Sequence, residues 1–306
     1  MQKKIAAAAI GGILPSMGKQ IGNPGSMSIR SFIGRQIHRI GWNYPVVNLA
    51  VKVADPVDYM VRLMNGNRHI PRLSIRVRSV GITLDLGGSS FLQHGKHFAD
   101  LLRTYAKLAP DSKVLEIGCG CGTNAFAVAE ILDDGNYVGM DIHHVSLEAA
   151  RGNSRLRRKC FQFELLDIRN NEYNPKGQNL ATEYVFPYPN ETFDVVFLIS
   201  VFTHMLTDEV INYARQITRI LKPGGRCFFT AFLLDRDSSF KFPFRSQEHS
   251  YMKSGSPEIC LAYYSDFLLS TFAENGMSCS AGPLWGSLHG GRSETGPQDI
   301  LVFTKQ

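Results

Sequence analysis

Cysteine is sparse and unpatterned in this 306-residue chain: six residues stand at 119, 121, 160, 227, 260 and 279. Cys119-x-Cys121 is tighter than the usual zinc pair and has no matching Cys/His pair downstream, so no structural metal is expected. Several of the other cysteines sit inside apolar runs, where the thiol acts as a small hydrophobe; a reducing compartment and no disulfide framework are expected. Long apolar runs are also missing. MQKKIAAAAIGGIL at the start sets ten small or apolar residues behind two lysines, too few to span a bilayer, which takes about 20. It is read as a frayed or surface-associating tail, with a membrane anchor or targeting segment as the second reading. Acidic residues are nearly absent from residues 1–80, with only Asp55 and Asp58 against 12 Lys/Arg. Residues 81–306 hold 21 basic and 25 acidic side chains, so the net charge of +6 belongs to the N-terminal extension. Such an imbalance suits an anionic membrane surface, a phosphorylated substrate or nucleic acid, and equally a solvated arm without a partner. No internal repeat is present.

What is there centres on KVLEIGCGCGTNAFAVAEIL, residues 113–132. A buried-strand pattern at Val114–Ile117 runs into Gly118, Gly120 and Gly122, and a helical pattern begins at once. Glycines between a strand and a helix let the backbone approach a ligand where a Cβ would collide, and the helix start offers free N–H groups. A nucleotide-like ligand is implied. The dinucleotide fingerprint G-x-G-x-x-G would need glycine at position 123, which is Thr123. The next strand, Tyr137–Met140, ends on Asp141, 19 residues after Gly122 and placed to accept from both ribose hydroxyls. Phe161–Leu166 ends on Asp167, a carboxylate that suits an adenine amino group, with Ile168 beside it to cover the ring.

The order E-I-G-C-G-C-G (116–122), M-D-I (140–142), L-D-I (166–168), F-D-V-V-F (193–197) and L-K-P-G-G (221–225) resembles the class I S-adenosylmethionine (SAM)-dependent methyltransferases. The likeness covers roughly residues 85–306. Within that group the chain resembles bacterial small-molecule or glycan-type enzymes, which carry S-V-F-T-H after the fourth strand (Ser200–His204) and a late Q-D-I strand (Gln298–Ile300). Two departures are Asn124, where relatives often have arginine, and the cysteine-rich loop itself. The resemblance implies a Rossmann-like, doubly wound α/β fold with a mostly parallel seven-stranded sheet and an antiparallel last strand. It implies SAM as cofactor, held by Gly118, Gly120 and Gly122, with Glu116 orienting the loop or the methionine ammonium. Asp141 and Ile142 would serve the ribose, Asp167 and Ile168 the adenine. Ser200 and Val201 would lie near the sulfonium, and Gly95 in F-L-Q-H-G-K-H near the methionine end.

Methyl transfer from a sulfonium is a direct displacement that needs alignment, plus a base where the acceptor is a hydroxyl. His204 is the candidate base, and Tyr173, opening a loop to Pro189, a candidate acceptor contact. A His204 that caps a helix or bonds a backbone carbonyl, and a turn at Asn174-Pro175, are the structural alternatives. His289 and Arg292 are further candidates in a Gly-rich loop. The expected acceptor is a small molecule, a sugar or a lipid-linked compound, with oxygen preferred to nitrogen. Nucleic acid is not expected, because the N/D-P-P-Y-type element of base-amino methyltransferases is replaced by Ser200-Val201-Phe202-Thr203. A nicotinamide-dependent oxidoreductase and a non-catalytic SAM-binding module remain the alternatives. The expected setting is the cytoplasm, with membrane contact through the basic extension.

The pass along the chain divides it into an extension (1–80) and a catalytic domain (81–306). It predicts one or two short helices over Pro45–Met64 broken at Pro56, and an extended basic connector over 65–80 with Arg72, Arg76 and Arg78 on one side. Strands are predicted at 113–117, 137–141, 161–166, 193–199 and 225–232. Helices are predicted at 89–108 and 208–221, the latter capped by Thr207.

Overall fold

The computed structural model describes residues 45–80, 85–234, 244–245, 249–251, 258, 260–287 and 296–306. The N-terminal tail and the loop carrying His289 and Arg292 lie outside the described residues. The elements run α1 (Pro45–Met64), α2 (Leu73–Val80), α3 (Ser89–Tyr105), β1 (Val114–Ile117), α4 (Thr123–Val128), β2 (Tyr137–Asp141), α5 (His144–Arg151), α6 (Ser154–Arg158) and β3 (Gln162–Leu165). They continue with β4 (Phe193–Leu198), a 3-10 turn at Phe202–His204, α7 (Thr207–Ile220) and β5 (Leu221–Leu234). The rest are β6 (Phe244–Arg245), β7 (His249–Tyr251), β8 (Leu261–Tyr264), α8 (Ser265–Glu274), β9 (Met277–Leu284) and β10 (Asp299–Lys305).

The sheet follows the order β3-β2-β1-β4-β5 with every pairing parallel. β10 joins β5 antiparallel, and β9 pairs antiparallel with β10. The far end of β5 also pairs β8, in parallel through Phe232–Leu234, and β8 carries β7 and β6. A parallel sheet buries both faces, and the strand sequences show it. Leu115 and Ile117 of β1 face one core with Val196 and Leu198 of β4, Phe229 of β5, and α7 and α8. Val114, Val195, Phe197 and Phe228 face the other, with α3 and α4. Phe229, Phe272 and Phe303 stack on the first face, with centroids 4.5–5.9 Å apart. The period-two alternation of β1 therefore turns Glu116 toward the α3/α4 side.

Three expectations need correction. Pro45–Met64 is one helix with Pro56 inside it. Proline removes only the bond to the Lys52 carbonyl, and Pro56 stands on the exposed face, where water can take that carbonyl. The supposed extended connector contains α2, because Leu73 and Val77, four apart, pack on Val51 of α1. Arg76 is accordingly buried while Arg72 is exposed, so the two do not share a side. Finally, α7 begins at Thr207 with Leu206 as its N-cap, and β5 starts at Leu221 without a separating turn.

Candidate active site

All the strand ends that the sequence singled out meet at the C-terminal edge of the parallel sheet. Gly118, Gly120 and Gly122 adopt φ of 77°, 54° and 86°, a region open to glycine and costly for other residues. The turn is pinned to β2: the N–H groups of Gly118 and Cys119 both donate to the Met140 carbonyl, at 2.7 and 3.0 Å. A Cβ at Gly118 would stand 2.4 Å from Val201 Cγ2, so the glycine loop and the end of β4 are in contact.

Asp141 closes the other side. Its carboxylate accepts the Gly120 N–H at 2.6 Å and the His143 N–H at 2.6 Å. Burial pushes its pKa up, against the pull of these backbone bonds and that of Ile142. The carboxylate thus fixes the loop while its oxygens keep acceptor capacity. Ile142 is half-buried beside it.

Glu116 lies below the loop and is fully buried. Asn124 Nδ2 donates to its Oε1 at 2.7 Å, and the Tyr137 hydroxyl donates to Oε2. Desolvation lifts its pKa to about 7, the two hydrogen bonds opposing and the Asp141 charge assisting. Of the two roles expected for Glu116, the geometry serves the first, orienting the start of α4 behind the loop: the carboxylate is fully enclosed and both oxygens are engaged. Asn124, at the departure from the usual arginine, completes this triad.

Ser200, two residues past β4, has φ of 60°, a left-handed conformation rare for a side-chain-bearing residue. Its N–H donates to Thr230 Oγ1 at 2.8 Å and its hydroxyl to Gln298 Oε1 at 3.1 Å. Thr230 also donates to Gln298 Oε1, at 2.5 Å, so β4, β5 and the lead-in to β10 share one knot. Thr230 carried no signal in the sequence; Gln298 was visible only through the late Q-D-I resemblance.

The two catalytic candidates, 31 residues apart, are brought together. The Tyr173 and His204 rings meet edge-on at 5.2 Å, and the Tyr173 hydroxyl is 3.4 Å from His204 Nε2. His204 Nδ1 lies 2.9 Å from the Glu258 carbonyl, an acceptor, so Nδ1 carries the proton and Nε2 presents a lone pair. Asn170 holds both residues, donating from Nδ2 to the His204 carbonyl at 3.1 Å and accepting the Tyr173 N–H at 3.0 Å. Burial keeps the Tyr173 phenol well above its ordinary pKa, with the Glu172 and Asp141 charges assisting, so it remains protonated.

Other predicted residues are placed differently. Gly95 is buried in α3, and a Cβ there would stand 2.4 Å from the Thr123 carbonyl; its bareness serves helix packing, not approach to a ligand. Asp167 is exposed just past β3 and accepts the Gln178 N–H at 3.2 Å. Ile168 is only 2% exposed and turns into the core, the opposite of a ring-covering side chain.

The chemistry of the residues present suits SAM. The loop is bare of Cβ atoms at three positions, a carboxylate stands at its rim, and Thr123 Oγ1 and Asn124 Oδ1 are buried beside it without a hydrogen-bond partner. Among the described residues no group of three or more His, Cys, Asp or Glu is arranged to hold a metal ion. None of the six cysteines is joined in a disulfide.

Comparison with known proteins agrees with this geometry. Residues 115–227 match the model of a methyltransferase domain. That stretch runs from β1 to the start of β5 and contains the glycine loop, Asp141, Asp167, Tyr173 and His204. Phosphoethanolamine N-methyltransferase 3 of Arabidopsis thaliana is 30% identical over 142 residues, 46% of this chain and 24% of that protein. The 27-O-demethylrifamycin SV methyltransferase of Amycolatopsis mediterranei is 31% identical over 135 residues, 44% of each. A tRNA N(3)-cytidine methyltransferase of Gallus gallus is 29% identical over 116 residues, 37% of this chain and 28% of that protein. The chain thus spans less than half the length of these curated relatives. Methyltransferase domains of this kind take SAM as their cofactor, and the comparisons favour methyl transfer over hydride transfer. The expectation against nucleic acid gains nothing from them, because one relative acts on tRNA.

Proposed function

We propose that this chain is a cytoplasmic SAM-dependent methyltransferase of the small-molecule or glycan type, acting on a hydroxyl of a small molecule, sugar or lipid-linked acceptor. Residues 81–306 form its catalytic domain. Its cofactor supplies an electrophilic methyl group on a sulfonium. The single observation that carries the reading is the Gly120 N–H bond to Asp141, which ties the glycine loop to the carboxylate at the end of β2. In this reading Asp141 accepts from ribose hydroxyls, Gly118, Gly120 and Gly122 bring the backbone close, Ile142 and Val201 supply apolar walls, and Asp167 stands at the adenine end.

The acceptor side rests on His204. With Nδ1–H committed to the Glu258 carbonyl, Nε2 can take a proton from an acceptor hydroxyl. Tyr173, kept protonated by burial, donates rather than accepts. Its 3.4 Å contact to Nε2 is long enough for an acceptor hydroxyl to displace. This favours oxygen, whose proton must leave as the bond to carbon forms.

Calorimetry with SAM and with NAD tests the cofactor. Saturable SAM binding that Asp141→Ala and the milder Asp141→Asn each weaken at least tenfold is expected; binding of NAD and not SAM overturns the reading. Transfer of labelled methyl groups to sugar and macrolactam hydroxyls, phosphoethanolamine and tRNA tests the acceptor. Label on the amine or the tRNA, unaffected by His204→Gln, overturns the hydroxyl assignment while leaving the cofactor reading intact.

A further inference from the structure

The helix α1 is amphipathic the wrong way round for a soluble domain. Its charged side is buried: Asp58 is fully enclosed and bonded to Arg62 at 2.8 Å and to Arg76 of α2 at 2.7 Å. Asp58 also accepts the Gly87 N–H at 3.0 Å and the Leu73 N–H at 3.1 Å, and Arg62 donates to the Ile70 carbonyl at 2.7 Å. The apolar side faces out. Leu49 is 63% exposed, Val53 69%, Val57 55%, Met60 55%, Leu63 45% and Met64 81%. On a helical wheel these six lie within about a third of a turn of one another, along a helix about 30 Å long. The pattern is not an accident of a loose helix, because the buried ion cluster fixes which side turns outward.

An apolar stripe of this extent needs a cover, and the surrounding charge says which. Residues 1–44, which lead directly into α1, contain six Lys/Arg and no Asp or Glu. Lys52 is exposed at the edge of the stripe, and Arg68 is exposed in the segment that follows the helix. A second copy of the chain would bring the same positive charge against itself. Between Leu49 and Met64 the stripe carries no polar side chain to pair with a protein partner. We propose that α1 lies flat on an anionic phospholipid surface, with Leu49, Val53, Val57, Met60, Leu63 and Met64 in the acyl-chain boundary and the flanking cations among the headgroups. This arrangement combines apolar burial with charge attraction, as interfacial helices do. It stands independently of the methyl-transfer reading.

The test is flotation of the full chain with vesicles of phosphatidylcholine and phosphatidylglycerol, 7:3, in 0.1 M salt, about one Debye length of 10 Å. The wild type is expected to float with them, and the double change Val57→Glu and Met60→Glu to lower the partition coefficient at least tenfold with an unchanged melting temperature. Should the double variant fail to fold, Met64→Glu carries the same comparison at a position that touches little. Equal binding of wild type and variant overturns the proposal, as does failure of the wild type to float. Equal binding to pure phosphatidylcholine overturns the anionic assignment. A dimer in sedimentation equilibrium that the substitutions dissolve, without vesicle binding, gives the face to a second copy and overturns it too.

Discussion

Replacing Glu116 by Gln should stabilise the protein at alkaline pH and leave it nearly unchanged at acid pH. The carboxyl is fully enclosed, and its pKa rises from 4.5 to about 7 in the folded state. Each tenfold change in proton affinity is worth about 1.4 kcal/mol, so the shift amounts to about 3 kcal/mol. The sign follows from proton uptake: between these two values the folded chain holds a proton that the unfolded chain releases. The stabilisation is therefore present below about pH 4.5 and is lost as pH rises through about 7. Glutamine keeps the shape and stays neutral. Its oxygen can accept from Tyr137, and its amide can donate to the Asn124 oxygen, which has no partner, once that amide turns over. Urea unfolding of both proteins at pH 5, 6, 7 and 8 checks this. The stability difference should open from about 1 kcal/mol at pH 5 to about 3 kcal/mol in favour of Gln at pH 8. Tyr137, Cys119 and Asp141, the other ionisable neighbours, are common to both proteins and cancel in the difference. Parallel curves would refute the reasoning, and so would a Gln variant that is less stable at every pH.

Two further outcomes follow from packing. Asp58→Ala leaves Arg62 and Arg76 buried without their carboxylate and should cost about 3–5 kcal/mol in the docking of α1 and α2, read as lost amide protection there with β1–β5 still protected. Gly95→Ala drives a methyl into the Thr123 carbonyl and should lower stability by roughly 1–3 kcal/mol by forcing α3 and α4 apart, measured by thermal unfolding; a neutral result would show that α3 slides freely.

The parallel core was legible because its signals are local. Four apolar residues before a glycine turn and an aspartate at the next strand end each mark a boundary within a few residues, and β1, β2 and β4 fall within a residue of expectation. The extension was harder to read. Leu73 and Val77 are a helical pair too short to outweigh the basic residues between them, and the choice of Asp58 to pair with Arg76, 18 residues away, is a tertiary fact. Pro56 signals a break in any local reading, and only the exposure of its face makes it tolerable. At the site, the glycines and Asp141 announced themselves through backbone chemistry. The meeting of Tyr173 with His204, and Thr230 with Gln298, depends on where distant loops land. Ile168 shows the opposite failure, in which a residue with a fitting neighbour turns inward because the core offers its side chain more contact than the rim does.

The insertion of β10 between β5 and β9 has a consequence for synthesis. Gln298, which braces Ser200, emerges from the ribosome 98 residues after it. A nascent chain stalled before that point already owns the glycine loop, Asp141, Tyr173 and His204, yet the end of β4 lacks its brace and β9 lacks its neighbouring strand. The cofactor end of the site is thus written early and the wall behind it last. Ligand capture during translation should therefore await Gln298 and the strand that follows it.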